Sequence, residues 1–308
     1  MSLLSLIAAL LLEQFNPLPV RNSLMLWFIR YANMLERELN AGHYRHGILA
    51  WCVAVALPCA LVWGVYLLLA SFSTILAFVW NVLVLYLMIG FRHFSHAFSG
   101  IAEALQAGDI GLARRLLAAW TDQDTGEMEA DEISRLAIEQ GLLDSYRYVF
   151  GTVFWFLLLP GPIGALLYRF ASRLANKWSE LDSDAEDGFG RFAVQVQRAL
   201  DWVPIRLTSI SFAVVGDFED AVYCWRSQAQ TWLSHDYGIL LASGAGAIGI
   251  RLGEALHQGH TVKYRPELGI GDTADADYLA SAVGLVWRAV VLWLVLVLLF
   301  SLTHWVAV

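Results

Sequence analysis

The sequence predicts an all-α fold: a polytopic membrane helical bundle with about four to six membrane segments, some short, broken or re-entrant, plus amphipathic helical loops. Three observations predict it. Hydrophobic residues make up 58% of the 308 and charged residues only 16%, against roughly 25% charged in ordinary soluble proteins. The mean hydropathy is +0.54. The charges are gathered between apolar runs rather than spread through them, and a water-soluble globule of this size has too little interior to hide so much apolar surface.

The first element, 1–12, is apolar but too short to cross a bilayer alone. It lacks a basic start and a small-residue cleavage site, and is expected to be retained rather than removed. From Gly47 to Gly90 no residue is charged, enough for a hairpin of two crossings at 48–70 and 73–90, with Ser71, Ser73 and Thr74 at the turn. Pro58 falls inside the first helix, where neighbouring helices can satisfy the freed backbone groups. A helical polar segment follows at 92–147. There Ile101, Leu105, Leu112, Leu116 and Leu117 recur near helical spacing, and Ala107-Gly108-Asp109 breaks the run.

The third membrane segment, 149–170, is interrupted by Pro160-Gly161-Pro162, which predicts a break or a re-entrant bend. The acidic runs 122–132 and 182–187 read as solvated loops. Two further candidate segments are 204–217, which carries Arg206, and 237–252, whose Gly and Ala suit close helix packing. The last crossing, 289–305, is flanked by Trp287 and Trp305 in the manner of an interfacial belt. The whole chain, 1–308, is expected to form a single membrane domain. With nine Lys/Arg on one side of a four-crossing topology and ten in a long loop on the other, orientation stays open.

No Lys/Arg cluster of the nucleic-acid type is present, so the expected partner is membrane lipid rather than nucleic acid. Cys52, Cys59 and Cys224 read as small buried hydrophobes. Gly244 to Gly249 formally fits G-x-G-x-x-G. A dinucleotide site would also need a preceding strand and a βαβ unit, and packing by small residues explains the glycines better. His43 and His46, and likewise His93 and His96, stand at i, i+3 on either side of the predicted hairpin. Both pairs would return to one membrane surface, where four imidazoles can ligate a borderline metal such as Zn²⁺ or simply meet water and headgroups. Arg147, Arg206 and Arg251 border or interrupt apolar segments. Such residues are costly in lipid and call for a cavity or an acidic partner, with Glu139, Asp144, Asp201 and Glu254 as candidates.

Several short motifs, in order, resemble the CobD/CbiB family of cobalamin-biosynthesis membrane proteins. They are Asn16-Pro17-Leu18-Pro19-Val20-Arg21; Ala107-Gly108-Asp109 and Trp120 with Asp124-Thr125; Phe154-Trp155 leading to Gly161-Pro162-Ile163-Gly164-Ala165 and Tyr168-Arg169; Pro204-Ile205-Arg206-Leu207-Thr208; Ala245 to Gly253; and Arg265-Pro266-Glu267-Leu268-Gly269 with Gly271-Asp272. The middle third, with Arg147-Tyr148 and Asp201-Trp202-Val203-Pro204, looks more like the relative AmpE.

The resemblance implies an integral protein of the bacterial inner membrane. It also implies a cobinamide-phosphate synthase reaction, joining cobyric acid to an aminopropanol phosphate with ATP and Mg²⁺, so that a corrinoid is the implied substrate. The chain departs from the family at its acids. Glu139 is kept, but Leu143, Asp144 and Arg147 replace the Glu, Asn and Asp that follow it. Ser172 and Ala175 replace an Asn and an Asp, Gln197 and Arg198 replace an Asp pair, and Gln123 replaces the Arg before Asp124. A rebuilt site is therefore expected around Glu139, Asp144, Arg206 and Asp272 as catalytic groups, with Arg147, Asp124, Thr125, Arg251 and Arg265 binding ligand. The other expectation is a non-catalytic AmpE-like sensor or accessory signalling protein on the same scaffold.

Overall fold

The computed structural model describes residues 2–15, 23–179, 188–259 and 261–306, with 2, 23, 91–94 and 304–306 described by their backbone alone. The Asn16–Arg21 motif and the acidic stretch 182–187 lie outside the described residues. Four helices come first: α1 (Ser2–Phe15), α2 (Ser23–Leu39), α3 (Tyr44–Phe72) and α4 (Thr74–Met88). The polar segment folds as α5 (Phe91–Gln106), α6 (Ile110–Thr121) and α7 (Ala130–Ser145). One π-helical turn, Tyr146–Phe150, leads into α8 (Gly151–Leu158) and α9 (Ile163–Ser179). Then come α10 (Arg191–Val215), α11 (Phe218–Gln228) and α12 (His235–Ile248). Five short strands follow: β1 (Ile250–Leu252), β2 (Leu256–Gln258), β3 (Thr261–Lys263), β4 (Leu268–Gly269) and β5 (Asp272–Thr273). The last helix is α13 (Ala276–Val306).

By its contacts the chain divides into two compact units. One comprises Met1–Phe91 with Arg147–Val203, the other Arg92–Tyr146 with Pro204–Val308.

In the first unit, α3 packs on α2, α4 and α9. Its buried stripe is built from small residues, Gly47, Ala50, Ala54 and Pro58 at helical spacing. A Cβ at Gly47 would lie 2.0 Å from the Phe189 carbonyl oxygen, so only glycine permits that approach. The rest of α3 turns Leu49, Leu57, Leu61, Leu68 and Phe72 outward. Beneath it Phe28 stacks on Phe170 at 3.8 Å between ring centroids, and Trp178 meets Phe189 edge-on at 4.9 Å. The expected break falls at 159–162: α8 ends at Leu158 and α9 starts at Ile163. Helix α9 continues to Ser179 as a largely buried amphipathic helix.

In the second unit, α12 is the buried centre. Ile239 to Ala247 are buried, and α7, α11, α13, β1 and β4 surround it. Its small residues admit these neighbours: a Cβ on Gly246 would sit 2.5 Å from the Asp220 carbonyl oxygen. Gly249, at φ +80°, ends the helix by donating its N–H to Ala245. The order is helix, then glycine cap, then strand, the reverse of a dinucleotide-binding turn. The expected segment 204–217 is the second half of α10, which runs on through Pro204; the expected 237–252 is α12 plus β1.

The fold is all-α as expected, with a few short strands added. β1 is the middle of a sheet in the order β4-β1-β5, antiparallel to β4 with Arg251 opposite Gly269 and parallel to β5 with Ile250 opposite Asp272. β2 and β3 form a separate antiparallel ribbon, Leu256 opposite Lys263.

Among the described residues two helices are long and apolar enough to cross a membrane, Tyr44–Phe72 and Ala276–Thr303. In their most apolar stretches only 22% and 28% of residues are buried, whereas the core helix of a soluble protein is mostly buried. Thr74–Met88 is apolar but, with 15 residues, spans about 22 Å against a hydrocarbon core of about 30 Å; Leu3–Phe15 is shorter still.

Candidate functional site

Helix α7 is unusual for its buried charge. Glu132, Arg135, Glu139 and Asp144 are each 7% exposed or less. The first three, at i, i+3 and i+7, share one face, and the segment that follows α12 meets that face group by group.

Glu132 caps its own helix, accepting from the Glu129 N–H at 2.8 Å through Oε2. Its other oxygen accepts from the His257 N–H at 2.9 Å and lies 2.9 Å from His257 Nδ1. Burial pushes the Glu132 carboxyl up, but the hydrogen bonds from Glu129 and His257 and the charge of the imidazole outweigh it, so its pKa is lowered. One turn on, Arg135 pairs with Glu254 and donates to the Ala255 carbonyl at 3.2 Å. Burial draws the guanidinium below its usual range, and nearby Arg265 adds to this against the pull of Glu132 and Glu139.

Glu139 closes the series. Its Oε1 accepts from the Gly253 N–H at 2.9 Å and its Oε2 from Arg265 Nη1 at 2.6 Å. Arg265 also donates to the Gly253 carbonyl at 2.9 Å, and its guanidinium lies 5.6 Å from the Trp232 ring centroid, a cation–π contact. Gly253 is what lets these groups meet. Its φ is +79°, and a Cβ would lie 2.0 Å from the Pro266 carbonyl oxygen.

Beside the Glu139–Arg265 pair is a cavity of about 420 Å³, within the range of small-molecule sites. Leu136, Glu139, Gln140 and Leu143 line it from α7; Thr231, Trp232, Leu233 and Leu256 add an apolar wall; Gln123, Gln258, Lys263, Tyr264, Arg265 and Pro266 complete it. Lys263 and Tyr264 are exposed, so the cavity has a cationic and aromatic edge over an apolar floor.

Of the expected site residues, Glu139 and Arg265 come together here. Asp144 accepts from Trp120 Nε1 at 3.0 Å and from Gln140 at 2.9 Å, which sets the amide of a lining residue. Arg206 pairs with Asp236 at 3.2 Å, an acid outside the expected partners. Asp272 accepts from the Tyr278 hydroxyl at 2.7 Å. Arg251 donates to Thr273 at 3.0 Å and lies 3.8 Å from Glu254, an expected partner. Asp124 accepts from the Gly126 N–H at 3.0 Å, and Thr125 donates to the Arg114 carbonyl at 2.8 Å. Arg147, in the π-helical turn of the first unit, accepts at its carbonyl from Thr152.

His43 and His46 are exposed, with ring centroids 6.0 Å apart; His96 is exposed; the His93 side chain lies outside the described residues. Trp232, Lys263, Tyr264, Gln140 and Gln258 carried no flag in the sequence, whereas Gln123 was noted as a departure from the family pattern. Lys263-Tyr264 directly precedes the flagged Arg265-Pro266, the one signal that could have found them.

The CobD/Cbib protein family model matches residues 6–286. The chain belongs to the CobD/CbiB family. It is 35% identical over 302 residues to the cobalamin biosynthesis protein CobD of Stutzerimonas stutzeri, covering 97% of each chain. The protein of the same name from Chromobacterium violaceum is 36% identical over 212 residues, 69% of this chain and 67% of that one. The probable cobalamin biosynthesis protein CobD of Methanothermobacter thermautotrophicus is 28% identical over 49% of this chain and 54% of its own. No solved structure gives a significant match. The family match runs through the middle third whose motifs look like AmpE, and the comparisons give that second likeness no support.

Magnesium, which CobD/CbiB chemistry implies, is held near-octahedrally by one or two carboxylates plus substrate phosphates. The cavity offers Glu139 alone, with both oxygens already accepting hydrogen bonds. Among the described residues no group of three or more His, Cys, Asp or Glu comes together. The residues present do not fit a resident magnesium ion, and no step is assigned to one.

Proposed function

We propose that this chain is a cobinamide-phosphate synthase of the bacterial cytoplasmic membrane, joining cobyric acid to an aminopropanol phosphate in cobalamin biosynthesis. The observation that carries the reading is the 420 Å³ cavity beside Glu139 and Arg265. Five of the positions at which the chain resembles or departs from the family motifs line it: Gln123, Glu139, Leu143, Arg265 and Pro266. The relatives that bear the name of cobalamin biosynthesis support the pathway.

The lining suits the substrates. A corrinoid edge carries many amides, and Gln123, Gln140 and Gln258 offer matching donors and acceptors around Leu136, Leu143 and Trp232. The phosphate of the amine substrate finds Lys263 and Arg265. Arg265 is turned to that task by Glu139, whose carboxylate is fully engaged and acts as a positioning group rather than as a free base. Amide formation also requires the carboxylate oxygen of cobyric acid to become a leaving group, which the family does with ATP. The exposed apolar surfaces of α3 and α13 support a bilayer setting for this reading.

A strain lacking cobinamide-phosphate synthase and carrying this gene should grow on cobyric acid. Detergent-purified protein should form cobinamide phosphate from cobyric acid, aminopropanol phosphate and Mg·ATP, read by mass spectrometry. Well-expressed protein that neither complements nor forms product overturns the reading and leaves a non-catalytic accessory role.

A further inference from the structure

The first unit holds a second cavity, about 250 Å³, that the proposed reaction does not use. Helix α2 lines it with Phe28, Ile29 and Ala32, and α9 with Arg173, Asn176 and Lys177. The lining is therefore half apolar and half cationic or amide. Lys177 is neutralised by Glu36. Arg173 has no ion-pair partner among the described residues, and its Nε is buried without a hydrogen-bond acceptor. Buried donors are satisfied in all but a few cases, so one positive charge and one donor here await an anion.

The surroundings say which kind of anion. The outer face of α2 exposes Leu26, Trp27 and Met34, with Trp27 stacked on Tyr31 at 5.5 Å. Tyr31 in turn donates to the Val53 carbonyl in α3 at 3.2 Å, which fixes α2 beside the first half of the candidate span. An exposed tryptophan stacked on a half-buried tyrosine, beside the first half of a candidate spanning helix, suits the headgroup level of a bilayer. We infer that this cavity binds the anionic headgroup of a membrane phospholipid, its phosphate on Arg173 and the glycerol end of its acyl chains against Phe28, Ile29 and Ala32. A free phosphate would meet the same guanidinium but gain nothing from those apolar side chains. The inference rests on the membrane reading given above.

The test uses the full chain purified in detergent. Short-chain phosphatidylglycerol should raise the thermal midpoint by about 2–4 °C and remain bound in native mass spectra, while phosphatidylcholine and inorganic phosphate do neither. Arg173→Gln should weaken phosphatidylglycerol about fivefold. Asn176→Asp, an exposed change that puts a negative charge at the rim and leaves the core untouched, should weaken it to a similar degree; Arg173→Lys should retain most of the binding. Equal shifts from phosphatidylcholine, an equal shift from inorganic phosphate, or unchanged lipid binding in Asn176→Asp and any folded Arg173→Gln would overturn the inference. A chain that stays monodisperse without detergent sinks the membrane reading instead, and failed complementation touches only the synthase.

Discussion

Helices α3 and α7 invert the usual relation between composition and burial. α3 is almost free of charge, yet Leu57, Leu61 and Leu68 are exposed at 52%, 61% and 58%. α7 carries buried Glu132, Arg135, Glu139 and Asp144. Water as the only solvent would penalise both: exposed leucines on the one, desolvated charges on the other. The difference teaches that the helices answer to two environments. α3 keeps its small residues for neighbours and turns its large ones outward, toward the bilayer under the proposed reading. α7 keeps its charges because a specific partner, from Glu254 to Arg265, meets each of the first three.

The largest effect should come from breaking a partner of α7. Arg265→Ala leaves Glu139 buried without its guanidinium, and removing one member of a buried pair costs about 3–5 kcal/mol. Denaturation in detergent should show that loss; a change under 1 kcal/mol would mean that the pair does not organise the segment. Next in size is a charge on α3. Leu61→Asp should disfavour insertion by about 2.5–3.5 kcal/mol if the position faces lipid, and change stability by less than about 0.5 kcal/mol if it faces water. The fraction retained in carbonate-washed membranes distinguishes the two.

The smallest effect is acid-dependent. The folded pKa of Glu132 is lowered, so its contribution is present above the ordinary value of 4.5 and is lost as pH falls through the folded value. Glu132→Gln should therefore lower stability near neutral pH and flatten its decline below about pH 4.5. Parallel acid limbs in the two proteins would show that the Glu132–His257 contact contributes nothing.

The sequence made α3 legible because absence of charge over 47–90 is a local signal, and the expected 48–70 matches Tyr44–Phe72 closely. The Pro160-Gly161-Pro162 break and the close packing at Gly244 and Gly246 were legible for the same reason. The strands were not. Two- and three-residue strands are too short to alternate, and their pairing, such as Arg251 with Gly269, is decided by distant chain. Helix α10 was missed as one element because Pro204 reads as a stop, although a helix with packed neighbours can carry it. In the site, Glu139 and Arg265 were both flagged, but nothing local says that residues 126 positions apart share a proton-bearing contact. Trp232 and Lys263 entered through that pairing alone.

Gly253 carries an evolutionary consequence. Its backbone holds Glu139 and Arg265 at once, and its α-carbon faces the Pro266 carbonyl with no room for a methyl group. Replacing it cannot be repaired by a single compensating change, because the intruding atom meets main chain rather than a side chain that could be trimmed. A genetic screen for suppressors of Gly253→Ala should thus return revertants to glycine and almost nothing else.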